Sequence, residues 1–235
     1  MAKWEMAVGA IFIAAILDVL DGRLARFLGS ASSFGAELDS LSDLVSFGVA
    51  PAILLYLHSL HQWKGMGWAI CLFFVVCGAL RLARFNTNLT QDSPLSGNFF
   101  TGVPITIGAS LSMIPLMMDF ISTSPWVATP ETNGVSLTVL GFLMISRIPT
   151  FSLKKVHVSQ QWVIPMLIGV ALLGAAVVNA PWLTLIVAGT LYSVLIPVSA
   201  WKANQVLKNY AESERRAAPE GSDKRTTRPV LSKIK

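Results

Sequence analysis

Asp18 and Asp21 are three residues apart in ILDVLDGRLARF, and Asp39 and Asp43 are four apart in ELDSLSD, so on helices each pair shares a face. With Glu37 they place five of the chain's 13 acidic residues between residues 16 and 52, among long apolar runs. A carboxylate near hydrocarbon costs about 2.5 to 3.5 kcal/mol on insertion scales, so a cluster here implies something that binds it. Four carboxylates facing one another repel unless cations neutralise them, and an all-oxygen set suits Mg²⁺ or Mn²⁺, with two ions the economical arrangement. Such ions grip diphosphates and stabilise charge during in-line displacement at phosphorus. Gly22 and Ala25 keep the neighbouring surface low and Arg26 can pair with phosphate oxygens. For any one of these charges taken alone, snorkelling at a helix end or pairing across a turn remains an equal reading.

These residues must be positioned by membrane helices. The 235 residues are 53% hydrophobic and 13% charged with a mean hydropathy of +0.60, which excludes an ordinary soluble domain. Apolar segments of about 20 residues, the length that crosses the hydrocarbon core, recur at 4–28, 37–57, 67–85, 101–120, 135–151, 162–179 and 181–201. The first resembles a signal peptide in having Lys3 before an apolar run, but six further spans follow it, so it is expected to stay as a structural helix. The stretch RFLGSASSFGA, with Gly29 and Gly35, is suited to a reversal that brings the two acidic faces together.

Alternation of seven spans leaves Lys3 and Lys64 outside and puts every other one of the 18 basic residues on the cytoplasmic side, as the positive-inside rule requires. The acidic cluster then lies at the cytoplasmic surface. The expected fold is therefore an all-α polytopic membrane helix bundle of about seven transmembrane helices. Residues 1–203 form the embedded domain and 204–235 a polar, basic, disordered cytoplasmic tail. Cys71 and Cys77, six apart in one span, indicate neither a disulfide nor a metal pair.

Asp18, Asp21, Gly22, Ala25, Arg26, Gly35, Asp39 and Asp43 match without substitution the pattern D-x-x-D-G-x-x-A-R-x8-G-x-x-x-D-x-x-x-D. In this the chain resembles the CDP-alcohol phosphatidyltransferase family. The resemblance implies an enzyme that displaces CMP from a CDP-linked lipid with a second substrate's hydroxyl, dependent on Mg²⁺ or Mn²⁺. Carried over, Asp18, Asp21 and Asp39 are metal ligands and Asp43 is the base, also touching a metal. Asp18, Gly22, Ala25, Arg26 and Gly35 form the nucleotide site, where Gly35 permits close helix packing.

GALRLARFN at 78–86, NFFTGVPI at 98–105 and SRIPTFSLKK at 146–155 are similar to segments of the phosphatidylserine synthase branch, which uses CDP-diacylglycerol and L-serine. Arg81, Arg84, Asn86 and Arg147 are the candidates for binding the acceptor or a phosphate, because a guanidinium pair suits a carboxylate; snorkelling remains open for the arginines. Pro104 and Pro149 are expected to kink or end helices beside the site. The chain begins MAKWEMAVG, without the P-N-x-x-T-x-x-R segment that the family places ahead of the signature, so a late start or a shortened form is expected. The resemblance also suggests a homodimer in a bacterial-type inner membrane, with lipids and no nucleic acid as partners. Alternatives are the same chemistry on glycerol 3-phosphate, an inositol compound or choline, an inactive relative, or an ion-coupled transporter.

Overall fold

A computed structural model describes residues 3–29, 32–88, 99–122, 127–146, 149–151 and 163–195. Arg147, Lys154, Lys155 and the whole basic tail lie outside these residues. Helix α1, Trp4–Phe27, runs through the first apolar segment and past both of its aspartates. It is followed by Gly29 at φ 64°, a left-handed conformation that a residue with a Cβ adopts only at a cost. Helix α2, Ser33–Asp43, starts at Ser32, whose Oγ accepts the Gly35 N–H at 3.0 Å.

The helix does not continue as a plain α-helix. Leu44–Val49 forms a π-helical turn, with the Ala50 N–H donating to the Val45 carbonyl, and only then does α3, Ala50–His58, begin. Pro51 supplies the reason: its ring crowds the carbonyl four residues back, that of Phe47, and a widened turn relieves the clash. Helix α4, Gly65–Asn88, follows a 3₁₀ turn at Leu60–Trp63. The next apolar segment is broken at Met113 into α5, Ile105–Ser112, and α6, Ile114–Ile121, with Pro115 in the first turn of the second piece. Pro104 caps α5.

Helix α7, Pro130–Ile145, opens at Thr129, whose hydroxyl accepts the Thr132 N–H. It stops short of the expected 135–151 span, because Pro149–Phe151 is a strand, β2, paired antiparallel with β1, Phe99–Thr101. Thr101 pairs with Pro149 and Phe99 with Phe151. Between β1 and α5, Gly102 has φ 80°, and a Cβ there would lie 2.7 Å from the Met144 carbonyl oxygen, so the chain can pass this close to the end of α7 only without a side chain. Helices α8, Val163–Asn179, and α9, Pro181–Leu195, complete the described chain.

The core forms where α4 packs on α7. Gly141 of α7 receives the Phe73 ring, 2.7 Å from where a Cβ would sit, and lies close to Cys77. Phe74, Leu55, Leu137, Ile105 and Met144 are all but excluded from the surface. Outside this core the surface is greasy: Leu17, Leu20 and Leu24 of α1, Leu72, Val76 and Leu80 of α4, and every described side chain of α8 are exposed. A helix without a polar face makes sense in lipid. Phe34–His58 and Gly65–Thr87 are each long and apolar enough to cross a bilayer, and Ile105–Ile121, Ile164–Asn179 and Pro181–Leu195 are shorter apolar helices. The chain is a helical membrane protein whose only strands, among the described residues, are those of the short ribbon.

Candidate active site

The turn at Gly29 folds α2 back so that its aspartates meet those of α1. One carboxylate oxygen from each of Asp18, Asp21 and Asp39 lies within 4.8 Å of the others. Asp18 is half-buried, while Asp21 and Asp39 are exposed. Asp43 completes the group from α2: its side chain is within hydrogen-bonding reach of Asp18 and within electrostatic reach of Asp39 and Arg81. Two carboxyls in that contact must share either a proton or a cation. Three convergent oxygens of hard carboxylate character, with no sulfur or imidazole among them, fit a hard divalent cation.

The π turn bears directly on this geometry. Closing over five residues instead of four inserts one extra residue, or about 100° of helical rotation, between α2 and α3. The acidic face of α2 is thereby set independently of the buried face of α3, which carries Ala52 and Leu55. Phe47 and Gly48 within the turn are themselves buried, which anchors the lower end of α2.

The glycines leave space around the carboxylates. Among the described residues, a Cβ at Gly22 would meet no atom within 4 Å, and one at Gly35 would meet only the Ser32 Oγ. Gly35 therefore has no helix packed on it among the described residues, and its amide is held by the Ser32 cap. Ala25 and Arg26 lie in the last turns of α1, on the same helix as Asp18 and Asp21; their side chains are outside the described set.

The three acceptor candidates among the described residues make different contacts. Arg81 turns toward the carboxylates, within electrostatic reach of Asp43 and of Tyr192 on α9. Its guanidinium carbon sits 5.6 Å from the centre of the Phe85 ring, and its buried Nε has no hydrogen-bond partner among the described residues. Arg84, one turn on, instead donates from Nη1 to the Ile145 carbonyl at 2.7 Å, satisfying an oxygen of the last turn of α7. Asn86 donates from Nδ2 to the Ser40 Oγ at 3.0 Å. Arg147 lies outside the described residues. Two residues at the site carry no mark in the sequence: Ser40, one more small polar residue between two aspartates, and Tyr192, a lone tyrosine 149 positions from Asp43.

Residues 1–146 match the family model described as CDP-alcohol phosphatidyltransferase, and residues 161–197 match CDP-alcohol phosphatidyltransferase 2. A Mycobacterium bovis protein named CDP-diacylglycerol--serine O-phosphatidyltransferase is 38% identical over 201 residues, covering 82% of this chain and 68% of its own. Proteins of the same name from Helicobacter pylori (strain ATCC 700392 / 26695) and Methanocaldococcus jannaschii are 36% and 40% identical, over 66% and 59% of this chain and 64% and 60% of theirs. The convergent aspartates, the helical membrane architecture and these matches together make the chain a member of the CDP-alcohol phosphatidyltransferase family.

Proposed function

We propose that this protein is a CDP-diacylglycerol--serine O-phosphatidyltransferase, which moves the phosphatidyl group from CDP-diacylglycerol to L-serine and releases CMP. The observation that carries the reading is the convergence of Asp18, Asp21 and Asp39 next to Asp43 and Arg81. Relatives from mycobacteria, Helicobacter and Methanocaldococcus that bear this enzyme's name support serine as the acceptor.

Asp18, Asp21 and Asp39 would hold Mg²⁺ or Mn²⁺, two ions in the fullest arrangement, with Asp43 at their edge. Bound there, divalent ions supply neutralising charge for the diphosphate and the departing CMP. Gly22 and Gly35 leave open surface for the nucleotide, and Ala25 and Arg26, further along α1, belong to the same proposed nucleotide site. Asp43 accepts the proton of the serine hydroxyl as its oxygen attacks the lipid-side phosphorus. Arg81, cationic beside Asp43, pairs with the serine carboxylate, the planar guanidinium matching two oxygens. Arg84, Asn86 and Arg147 complete the proposed acceptor side, the first two by fixing the helix ends around it.

The site faces the cytoplasm of a bacterial-type inner membrane in this reading, so CMP leaves to water while phosphatidylserine stays in lipid. Seven spans and the homodimer that the resemblance implies belong to the same proposal, with α8 available to lipid or to a second copy. The test is turnover in liposomes containing CDP-diacylglycerol and Mn²⁺ or Mg²⁺, with serine, glycerol 3-phosphate, inositol or choline supplied in parallel. Phosphatidylserine formed from serine and lost in Asp43→Asn is expected. Product from another alcohol would move the acceptor, and no product from any of the four would overturn the reading.

A further inference from the structure

Helix α2 carries half of the acidic cluster yet is hardly packed among the described residues. From Phe34 to Ser42 every side chain is exposed except that of Ser40, which is half-buried. Below this stretch the π turn is anchored by Phe47 and Gly48, so α2 projects from the core like a cantilever. Its free half is held at Ser40. The Ser40 hydroxyl donates to the Ala36 carbonyl at 3.1 Å within α2, and its oxygen accepts from the Asn86 amide of α4 at 3.0 Å.

The angular arithmetic gives this contact its meaning. On a helix with 100° per residue, Ser40 lies about 100° from Asp39 and about 60° from Asp43. Holding Ser40 against α4 therefore directs both aspartates to the adjoining face, where Asp18 and Asp21 of α1 stand. Side chains lie about 5 to 6 Å from a helix axis, so a slip of about 20° would move a carboxylate by about 2 Å. Metal coordination tolerates about 0.2 Å.

We propose that Asn86 and Ser40 form a positioning pair that sets the rotation of α2 and thereby the metal-ligating geometry of Asp39 and Asp43. Asn86 thus acts on the carboxylates through Ser40, rather than on substrate. The same pair joins α2 to the helix that bears Arg81, so the metal-binding and acceptor sides keep a common register. Groups that orient metal ligands from behind typically change metal affinity by 10- to 100-fold when removed.

The inference rests on the metal-dependent transferase reading for its kinetic arm but not for its binding arm. Mn²⁺ binding to the purified full chain is titrated by loss of the free-ion EPR signal, for the native protein and for Asn86→Leu, Ser40→Ala, the double variant and Ser40→Thr. Asn86→Leu and Ser40→Ala are each expected to weaken Mn²⁺ binding by about tenfold or more. The double variant should be no weaker than the worse single one, because the two substitutions remove one contact. Ser40→Thr keeps the accepting oxygen and should stay within about twofold of the native chain.

In turnover, Asn86→Leu should raise the Mn²⁺ concentration for half-maximal rate and lower kcat, with KM for serine unchanged. Unaltered Mn²⁺ binding in both single variants, multiplicative losses in the double, or Ser40→Thr as weak as Ser40→Ala would overturn the pair. So would a raised serine KM with Mn²⁺ binding intact, which would make Asn86 an acceptor contact. A native chain that binds Mn²⁺ but turns over no serine would fail the substrate reading alone, and the EPR comparison would still decide the pair.

Discussion

Asp43 differs from the other three aspartates in its surroundings, having Asp18 on one side and Arg81 within electrostatic reach on the other. Asp18, Asp21 and Asp39 form the tight trio of oxygens, and removal of any one leaves a hard cation with too few charged ligands. Asp39→Asn should therefore lower turnover by more than about 100-fold, beyond the loss from an outer partner, and weaken Mn²⁺ binding in the same EPR titration. Arg81 separates charge from shape. Arg81→Lys keeps the cation but loses the planar fork, and is expected to raise KM for serine about tenfold, the scale of one charge-assisted hydrogen bond. Unchanged serine KM with a changed KM for CDP-diacylglycerol would assign Arg81 to the lipid phosphate. The signature made the four aspartates legible as a group, because their spacing fits a helix face. Nothing in that spacing showed that Arg84 would be spent on the Ile145 carbonyl while Arg81, three residues earlier on the same face, would turn to the carboxylates.

Elements position these groups through glycine contacts and interhelical hydrogen bonds. The α4 to α7 crossing depends on Gly141, since a Cβ there would meet the Phe73 ring at 2.7 Å and the Cys77 sulfur at 3.4 Å. Gly141→Val should destabilise the bundle by about 1 to 3 kcal/mol through overpacking, read as a lower thermal transition in detergent. At the opposite end from the aspartates, Asn133 on α7 is fully buried and donates to the Ser59 Oγ at 2.8 Å. Asn133→Ala should cost about 0.6 to 1.7 kcal/mol, the range found for such bonds in membrane proteins, while turnover per folded molecule stays unchanged. A loss of kcat in this variant would show that the two ends are coupled. The helical membrane character followed from the apolar segments, because their length suits a bilayer-crossing helix. The π turn before Pro51, the break at Met113 and the ribbon of Phe99–Thr101 with Pro149–Phe151 did not, since each arises from backbone crowding or pairing with a distant segment.

At the scale of the molecule, side-chain contacts sort by end. Trp4 packs edge-on against His58 with ring centres 5.2 Å apart, and His58 lies 4.0 Å from Asp119, joining the start of α1 to the ends of α3 and α6. The carboxylates, Arg81, Arg84 and the end of α7 gather at the other end. Lys3 and Lys64 belong to the first of these ends, and the basic residues of α4 to the second. A membrane-impermeant thiol reagent applied to intact cells should label Lys64→Cys and leave Arg23→Cys untouched until the membrane is opened. The native Cys71 and Cys77 are buried and give little background. Labelling of Arg23→Cys from outside would reverse the orientation and place the site on the wrong face for a cytoplasmic nucleotide.

Composition and hydropathy by themselves determined a membrane protein of helices, since only apolar segments of that length satisfy their own backbone in lipid. The aspartate spacing by itself pointed to a site suited to a hard divalent cation, because carboxylates gathered from two helix faces repel one another until a cation or proton lies between them. Only the tertiary structure decided how these faces meet. The left-handed turn at Gly29, the extra rotation at Leu44–Val49 and the hold of Asn86 on Ser40 set the angle of α2. Local spacing defines which residues share a face, while the direction that face takes depends on contacts with α4, 46 positions away in the chain.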